Sequence, residues 1–345
     1  MTDITPKERF IRSLEGKEVD KVPVCSVTQT GTIDLMQASG TQWPEAHFNS
    51  EKMATLAIAG HEIAGLEGIR YPFDGTAIAQ TLGCTMGEGT YDTQPSIHDF
   101  PFETIEDVKD LTVPENFLES ERIKTILDAT EIIKKRADED IPIIAGHLGP
   151  AAITLSLVGV RNYLMWFISH PDTIKELITF STDICIEYSN ALLERGADVV
   201  CIPDSEAGPE LIPPEFFETM IFPEYKRLNR EIKGKTIAHI CGDSADILEK
   251  VAISGFDGIS IEEKVDVQYA KSAIGDKACL IGNVSPVHTL LGMKPEKVKE
   301  EAKQCIEDGV DILAPGCGLA PHTSLNNLKA FVAARDEYYL EKGLL

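Results

Sequence analysis

The chain has 345 residues, of which 43% are hydrophobic and 26% are charged, and its formal net charge at pH 7 is -24. This length is enough for one large core, but the strongly acidic balance argues against a nucleic-acid partner, because phosphate binding needs clustered Lys and Arg. The sequence has no run of 18 uncharged apolar residues and no apolar segment near its start, so we expect a cytoplasmic protein with no membrane insertion and no signal peptide.

A repeated pattern runs along the chain, in which a helical segment ends at Gly and an apolar, β-branched run begins about three residues later. Three clear copies and one looser copy are marked by the glycines Gly196, Gly255, Gly309 and Gly65. Glycine suits the residue just past a helix because it adopts the left-handed conformation without strain. An apolar run directly after such a turn is typical of a buried parallel strand.

Eight such runs predict the strands. They lie near residues 22–28, 68–73, 142–147, 198–203, 236–241, 258–263, 279–283 and 311–315. The segments between them are long enough for the crossover helices that parallel strands require. We therefore predict a single α/β domain over residues 1–345, a (β/α)8 TIM-type barrel with an N-terminal helical extension; an open doubly wound sheet is the alternative. Residues 75–140 fit this pattern least and are expected to form excursions over one end.

Polar side chains follow the apolar run of every predicted strand. They are Gln29, Asp74, His147, Asp204, Glu206, His239, Cys241, Glu262, Glu263, Asn283 and Cys317. In barrels, the carboxyl ends of the strands and the loops after them form the active site. The alternative for any one of these residues is that loops are simply polar. Their occurrence after all eight runs favours an active site at this end.

The most specific local pattern is His239-Ile240-Cys241, followed far along the chain by Cys317 between two glycines. Residues two apart on a strand face the same side, so His239 and Cys241 are expected to point at one place. In a closed barrel the last strand converges on the same mouth, which brings Cys317 within reach. One imidazole and two thiolates are suitable zinc ligands. The alternative is a hydrogen-bonded core histidine and two inert cysteines, as we expect for the other six cysteines, which should be reduced and buried.

Several segments of the chain resemble a known family. The opening segment 6–24, Gly149-Pro150, residues 282–284 and the closing segment 316–327 are similar to the uroporphyrinogen decarboxylase superfamily. Within it, the chain resembles the methylcobalamin:coenzyme M methyltransferases of methanogens. The decarboxylases carry an arginine-rich stretch after the first strand, where this chain has residues 27–32 without Arg, and a histidine where this chain has Cys317.

The resemblance implies a function. It implies one Zn²⁺ per chain held by His239, Cys241 and Cys317, and transfer of a methyl group from methylcobalamin, carried by a partner corrinoid protein, to the thiol of coenzyme M. Metal coordination would deprotonate that thiol and make it a nucleophile. A decarboxylase-like enzyme without metal is the first alternative, and a non-catalytic corrinoid-binding or structural zinc protein is the second.

Three further residues are assigned from their positions at strand ends. We expect Glu263 to be the catalytic fourth zinc ligand that an incoming thiol displaces, with Glu262 as the alternative, because neighbours on a strand face opposite ways. His147 and Asn283 are candidate binding residues for the sulfonate of coenzyme M. Ordinary loop polarity is an equally good interpretation of these last two.

Overall fold

Nine strands are present in the part of the chain that the computed structural model describes, residues 4–344. They are β1 (Ile69–Tyr71), β2 (Thr85–Gly87), β3 (Ser96–Asp99), β4 (Ile143–Gly146), β5 (Val199–Pro203), β6 (Lys235–Ile240), β7 (Gly258–Ile261), β8 (Cys279–Val284) and β9 (Ile312–Pro315). Seven of these form one parallel sheet in the order β1-β4-β5-β6-β7-β8-β9. The sequence-predicted runs from 68–73 to 311–315 are thereby confirmed as strands.

The first predicted strand, 22–28, is reduced to a single bridge between Val24 and Leu313 of β9. Cys25 N donates to Leu313 O at 3.0 Å, and Glu67 N, just before β1, donates to Val24 O at 2.8 Å. The segment therefore lies between β9 and β1 and closes the curled sheet. The strand pairing does not extend beyond this bridge, because Pro23 has no N–H group and because Val24 N donates to the Glu67 side chain.

Helices connect the strands and cover the outside of the sheet. They are α1 (Pro6–Leu14), α2 (Ile33–Ser39), α3 (Glu45–Phe48), α4 (Ser50–Glu62), α5 (Ala77–Thr81), α6 (Glu121–Arg136), α7 (Pro150–Ser169), α8 (Pro171–Glu194), α9 (Pro214–Phe216), α10 (Phe222–Glu231), α11 (Leu248–Ala252), α12 (Val267–Ile274), α13 (Pro295–Asp308) and α14 (Leu325–Glu341). Each pair of neighbouring parallel strands is thus joined by a helical crossover, as such pairs require. The expected TIM-type α/β fold, with α1 as the N-terminal helical extension, is confirmed.

The excursion predicted over residues 75–140 contains α5, the antiparallel hairpin of β2 and β3, and α6. The hairpin pairs Met86 with Ile97 and belongs to no other sheet. The loop that joins its two strands reaches His322 after β9, with 3.3 Å between Asp92 Oδ2 and His322 Nε2. The excursion therefore extends to the loop that follows the last strand.

The barrel interior is filled by side chains two residues apart on successive strands. This inner core contains Phe10, Leu14, Cys25, Val27, Ile144, Val199, Cys201, Ile237, Cys279, Ile281, Ile312 and Ala314. Phe10 and Leu14 belong to α1, which packs where the strands begin. Because residues i and i+2 share a face, His239 continues the inward face of Ile237 toward the opposite end.

One helix, α7, is long and apolar enough to cross a membrane by length and composition alone. Arg161 is its single charged residue. Within its most apolar window, 61% of the residues are buried inside the protein. The helix packs along α8 and accounts for part of the core around the barrel.

Candidate metal centre and its cavity

The structure brings together the imidazole of His239 and the thiols of Cys241 and Cys317. The His239 Nε2 atom lies 3.1 Å from Cys241 Sγ, and Cys241 Sγ lies 3.2 Å from Cys317 Sγ. One ligand atom from each of the three residues lies within 4.8 Å of the other two. These are the three residues that the spacing of the sequence grouped, and together they form the metal cluster discussed below.

The strand register fixes the orientation of His239. It is paired with Ser260 of β7, and its Nδ1 atom lies 3.0 Å from Ser260 Oγ. The partner on Nδ1 leaves Nε2 directed at Cys241. A partner on the second ring nitrogen is the usual way in which proteins orient a metal-binding imidazole.

The glycines on both sides of Cys317 are needed for close packing. A Cβ atom on Gly316 would come within 3.0 Å of Glu263 Oε2, and one on Gly318 within 3.1 Å of Gln29 Cγ. A larger residue at either position would crowd these neighbours, which would then have to shift by a few tenths of an ångström. The two glycines therefore allow the loop to carry Cys317 to the cluster.

The two thiols of the cluster differ in acidity. The hydrogen bond from the Cys317 thiol lowers the pKa of Cys241, and the neighbouring His239 lowers it further. The same hydrogen bond, together with burial, raises the pKa of Cys317. Cys241 therefore loses its proton first, and the thiolate is the form that binds a metal.

The spacing of the three ligand atoms suits a tetrahedral metal. Ligand atoms around tetrahedral zinc lie about 3.5–3.8 Å apart, given typical Zn–S and Zn–N bond lengths. The observed separations of 3.1 and 3.2 Å need to widen by only a few tenths of an ångström. Two sulfur atoms and one nitrogen atom are also the donor types that zinc prefers over oxygen. The residues therefore fit a zinc ion with one coordination position left open.

The remaining cysteines are different. Cys25, Cys84, Cys185, Cys201, Cys279 and Cys305 are all buried free thiols. Burial raises the pKa of each of them. They remain protonated at neutral pH, as expected for cysteines that pack as small apolar side chains.

The metal cluster lies on the wall of a cavity of about 540 Å³ at the carboxyl ends of the strands. Apolar side chains of Pro72, Phe73, Leu148 and Leu319 line much of the remainder. Its size is within the range of pockets for small-molecule ligands. The cavity thus offers a small substrate a largely apolar chamber beside the metal cluster.

Glu263, the expected fourth ligand, lies near the metal cluster but outside it. Its Oε1 atom accepts a hydrogen bond from Ser285 Oγ at 2.7 Å, and the side chain is exposed. The neighbouring Glu262 is half-buried and accepts a hydrogen bond from the backbone N–H of Gly242, the residue after Cys241. Neither carboxylate belongs to the group of ligand atoms within 4.8 Å that the described residues form.

His147 lines the cavity, but both of its ring nitrogens have partners inside the protein. Nδ1 lies 2.8 Å from Leu148 O, and Nε2 lies 2.7 Å from Ser189 Oγ. Burial lowers its pKa to about 4, so the ring is neutral near pH 7. The structure therefore does not offer the free donor on His147 that sulfonate binding needs.

Asn283 does not reach the cavity. Its Nδ2 atom donates to Val265 O at 2.9 Å, and the Cys305 thiol of α13 donates to its Oδ1. Cys279 and Ile281 of β8 point into the barrel as alternate residues of a strand do, but this alternation ends at Gly282, whose φ of 148° favours glycine. The side chain consequently turns outward toward α13, which the period-two pattern does not predict.

Arg70 is a cavity residue that sequence reasoning missed. It occupies the middle of β1 between Ile69 and Tyr71, is only 5% exposed, and lines the cavity. The sequence could have indicated this residue, because a charged side chain stands inside an apolar strand at a position where the alternation along the strand faces inward. Burial lowers the pKa of this guanidinium, which begins so high that arginine still remains charged.

Known proteins are similar to this chain over nearly its whole length. The sequence pattern of the family described as uroporphyrinogen decarboxylase (URO-D) matches residues 5–338. The chain is 43% identical over 340 residues to the methylcobamide:CoM methyltransferase MtaA of Methanosarcina barkeri, covering 98% of this chain and 100% of that protein. It is 36% identical over 344 residues to the methylcobamide:CoM methyltransferase MtbA of Methanosarcina acetivorans, covering 98% and 99% respectively.

A solved structure is also similar. The methyltransferase from Methanosarcina mazei superposes with a TM-score of 0.95 at 42% sequence identity, covering 97% of this chain and 99% of that chain. At that score the two backbones share the same arrangement of strands and helices over nearly their whole length.

Proposed function

This chain belongs to the uroporphyrinogen decarboxylase family and, within it, to the methylcobamide:CoM methyltransferases, and from that premise we propose that it transfers a methyl group from a methylated corrinoid to the thiol of coenzyme M in a zinc-dependent reaction. The observation that carries the proposal is the metal cluster of His239, Cys241 and Cys317 on the wall of a small cavity. In the transfer, a new sulfur–carbon bond forms while the cobalt–carbon bond breaks and its electron pair stays on cobalt.

The chain's own residues supply the setting for this reaction. His239, Cys241 and Cys317 would hold the zinc ion, which lowers the pKa of a bound thiol so that it reacts as a thiolate. Ser260 orients His239. Phe73 and Leu319 give the cavity apolar walls, and a thiolate that loses water against such walls would be the stronger nucleophile.

The cavity also bears on how the methyl donor reaches the thiol. About 540 Å³ suits a small thiol but not an entire corrinoid. We therefore propose that a corrinoid protein presents its methyl group at the open end of the cavity, as the carboxyl ends of barrel strands face solvent. We also propose that the protein meets this partner in the cytoplasm, as expected from the sequence.

The test of this function is metal content together with thiol-dependent demethylation of free methylcobalamin. Purified protein should contain close to one zinc per chain. Cys241→Ala and Cys317→Ala should each lose zinc and activity while the far-ultraviolet circular dichroism stays unchanged. Cys185→Ala, a buried cysteine of α8 outside the metal cluster, is the matched control and should keep both.

Two outcomes would contradict the proposal. Stoichiometric zinc retained in either variant of the cluster would remove the assigned ligands. Wild-type protein with no bound metal would instead favour the decarboxylase-like alternative.

A further inference from the structure

Arg70 is the buried arginine without an acidic partner. Three other arginines with similar burial each contact a carboxylate: Arg9 contacts Asp20 and Glu67, Arg122 contacts Asp74, and Arg335 contacts Glu67. Among the residues that the structure describes, no carboxylate lies within 4.0 Å of the Arg70 guanidinium. Buried charges in proteins are normally paired, so an unpaired one on a cavity wall points to an anion that comes from outside the chain.

The guanidinium is held in place by the backbone and has donors left over. Nε donates to Val27 O at 2.7 Å and Nη1 donates to Pro72 O at 2.8 Å. An arginine has five N–H donors, and Nη2 makes no hydrogen bond with residues 4–344. Two contacts to rigid carbonyl groups therefore fix the fork, while its remaining donors are free for a ligand.

The neighbouring strand leaves room for this fork. Gly146 of β4 lines the same cavity, and a Cβ atom there would lie 2.1 Å from Arg70 Nη2. Only glycine at this position allows the guanidinium to lie where it does. The fork and the glycine thus form a preorganised recess on the cavity wall.

Among the charged side chains around the cavity, Arg70 is the one suited to bind an anion. It is the one Lys or Arg among the cavity-lining residues of the described chain. Two acidic residues line the cavity. The buried Asp74 is already neutralised by Arg122 at 3.0 Å, and Asp92 lies 3.3 Å from His322. A protein with a net charge of -24 would otherwise repel an anionic substrate.

We propose that Arg70 anchors the sulfonate of the thiol substrate and so selects coenzyme M over neutral thiols; this assignment rests on the proposed function. The planar fork presents two parallel donors that match two oxygens of a sulfonate. Anchored at β1, the substrate extends through the apolar chamber toward Cys241 and Cys317. Arg70 binds the end of the substrate that does not react, so it governs affinity and orientation.

The first measurement uses the wild-type protein and sulfonates that lack a thiol. Ethanesulfonate, added to protein as purified, should bind by calorimetry and should inhibit competitively against coenzyme M. Ethyl methyl sulfone, a neutral analogue of similar size, should bind at least about tenfold more weakly, because hydrogen bonds to charged groups contribute that much. Equal binding of the two analogues, or ethanesulfonate binding only as weakly as chloride, would overturn the proposal.

The second measurement compares variants. Arg70→Met should lower the ratio of kcat/KM for coenzyme M to that for 2-mercaptoethanol by about ten- to a hundredfold, and should abolish ethanesulfonate binding. Gly146→Ala, which keeps the charge but displaces the fork, should lower the same ratio. Arg161→Met, on the exposed part of α7, is the matched control and should leave the ratio unchanged.

The two proposals fail in different ways. If the wild-type protein holds no metal and no thiol supports demethylation of methylcobalamin, the proposed function fails, yet ethanesulfonate binding that depends on Arg70 would still support an anion site. If the wild-type protein is active and Arg70→Met keeps the full preference for coenzyme M, the proposed function stands and the role of Arg70 is wrong.

Discussion

At the scale of single residues, the neighbours Glu262 and Glu263 have identical side chains, but their successive positions at a strand end give them different partners. Glu262 lies on the inward alternation of Ser260 and accepts the Gly242 N–H beside Cys241. Glu263 is bonded through Oε1 to Ser285, and its Oε2 lies against Gly316, the residue before Cys317. Both carboxylates therefore border the metal cluster, on different sides.

We propose that Glu263 is the fourth zinc ligand of the resting enzyme, with Glu262 as the alternative. X-ray absorption at the zinc edge should show two sulfur neighbours, one nitrogen and one oxygen, and Glu263→Gln should change the oxygen contribution. With coenzyme M bound, three sulfur neighbours are expected. A change caused by Glu262→Gln alone would transfer the role to Glu262. An oxygen neighbour unaltered by both variants would assign it to water and leave neither carboxylate as a ligand.

At the scale of elements, the contact between β5 and α7 explains why the chain turns where it does after β4. Asp204, just after β5, accepts hydrogen bonds from the N–H groups of Ala152 at 2.7 Å and Ala151 at 3.3 Å, in the first turn of α7. Tyr225 donates to the same carboxyl group at 2.7 Å. A Cβ atom on Gly149 would come within 2.5 Å of Asp204, so the Gly149-Pro150 turn is shaped by this carboxyl group.

The burial of Asp204 predicts a pH-dependent stability. Burial raises its pKa from 3.8 to about 7, against the effect of its hydrogen-bond donors. The folded protein therefore binds more protons at this site than the unfolded chain between these two values, and its stability falls as pH rises through that window. Relative to the wild type, Asp204→Asn should gain free energy of unfolding between pH 4 and pH 8, at most about 1.4 kcal/mol for each unit of pKa difference.

Chemical denaturation across that pH range measures the difference between variant and wild type. Asp276→Asn, an exposed residue after α12, is the control and should show a difference that does not vary with pH. A constant difference for Asp204→Asn as well would mean that this carboxyl group does not titrate in the folded protein over the range.

At the scale of the whole molecule, one carboxylate beside the closure of the barrel connects α1 with α14. Glu67, which precedes β1, accepts from Arg9 of α1 at 3.2 Å and from Arg335 of α14 at 2.9 and 3.0 Å. It also accepts from Val24 N, in the short segment that closes the sheet. The closing segment forms only one bridge, and Glu67 connects it to α1 and α14.

Removing the charge of Glu67 should therefore destabilise the whole fold. Glu67→Gln leaves the buried Arg335 with the Val22 carbonyl and, as an acidic partner, only the partly exposed Asp336 among the described residues, and breaking a buried ion pair in this way costs about 3–5 kcal/mol. Urea denaturation should show that loss. Glu8→Gln, which removes an exposed pair with Arg12, is the control and should cost no more than about 0.5 kcal/mol. A loss as small as that of the control would show that the closure does not depend on Glu67.

The sequence by itself determined what depends on short-range pattern and residue type. Apolar runs of five or six residues predicted the seven strands of the parallel sheet, and the glycines that end the preceding helices, Gly196, Gly255 and Gly309, all have the expected positive φ. The pair His239 and Cys241 was recognisable because period two on a strand is independent of the rest of the fold. Cys317 needed in addition only the closure of the barrel.

The tertiary structure decided which partner each polar side chain has, because those partners come from distant parts of the chain. His147 forms a hydrogen bond with Ser189, and Asn283 forms hydrogen bonds with Val265 and Cys305. Neither residue therefore has a free donor at the cavity. Arg70 is the opposite case: the sequence shows a charged residue in a strand, but only the packed barrel leaves it without a carboxylate. A residue's type fixes which bonds it can make, whereas the neighbours that folding supplies fix which of them remain for a ligand.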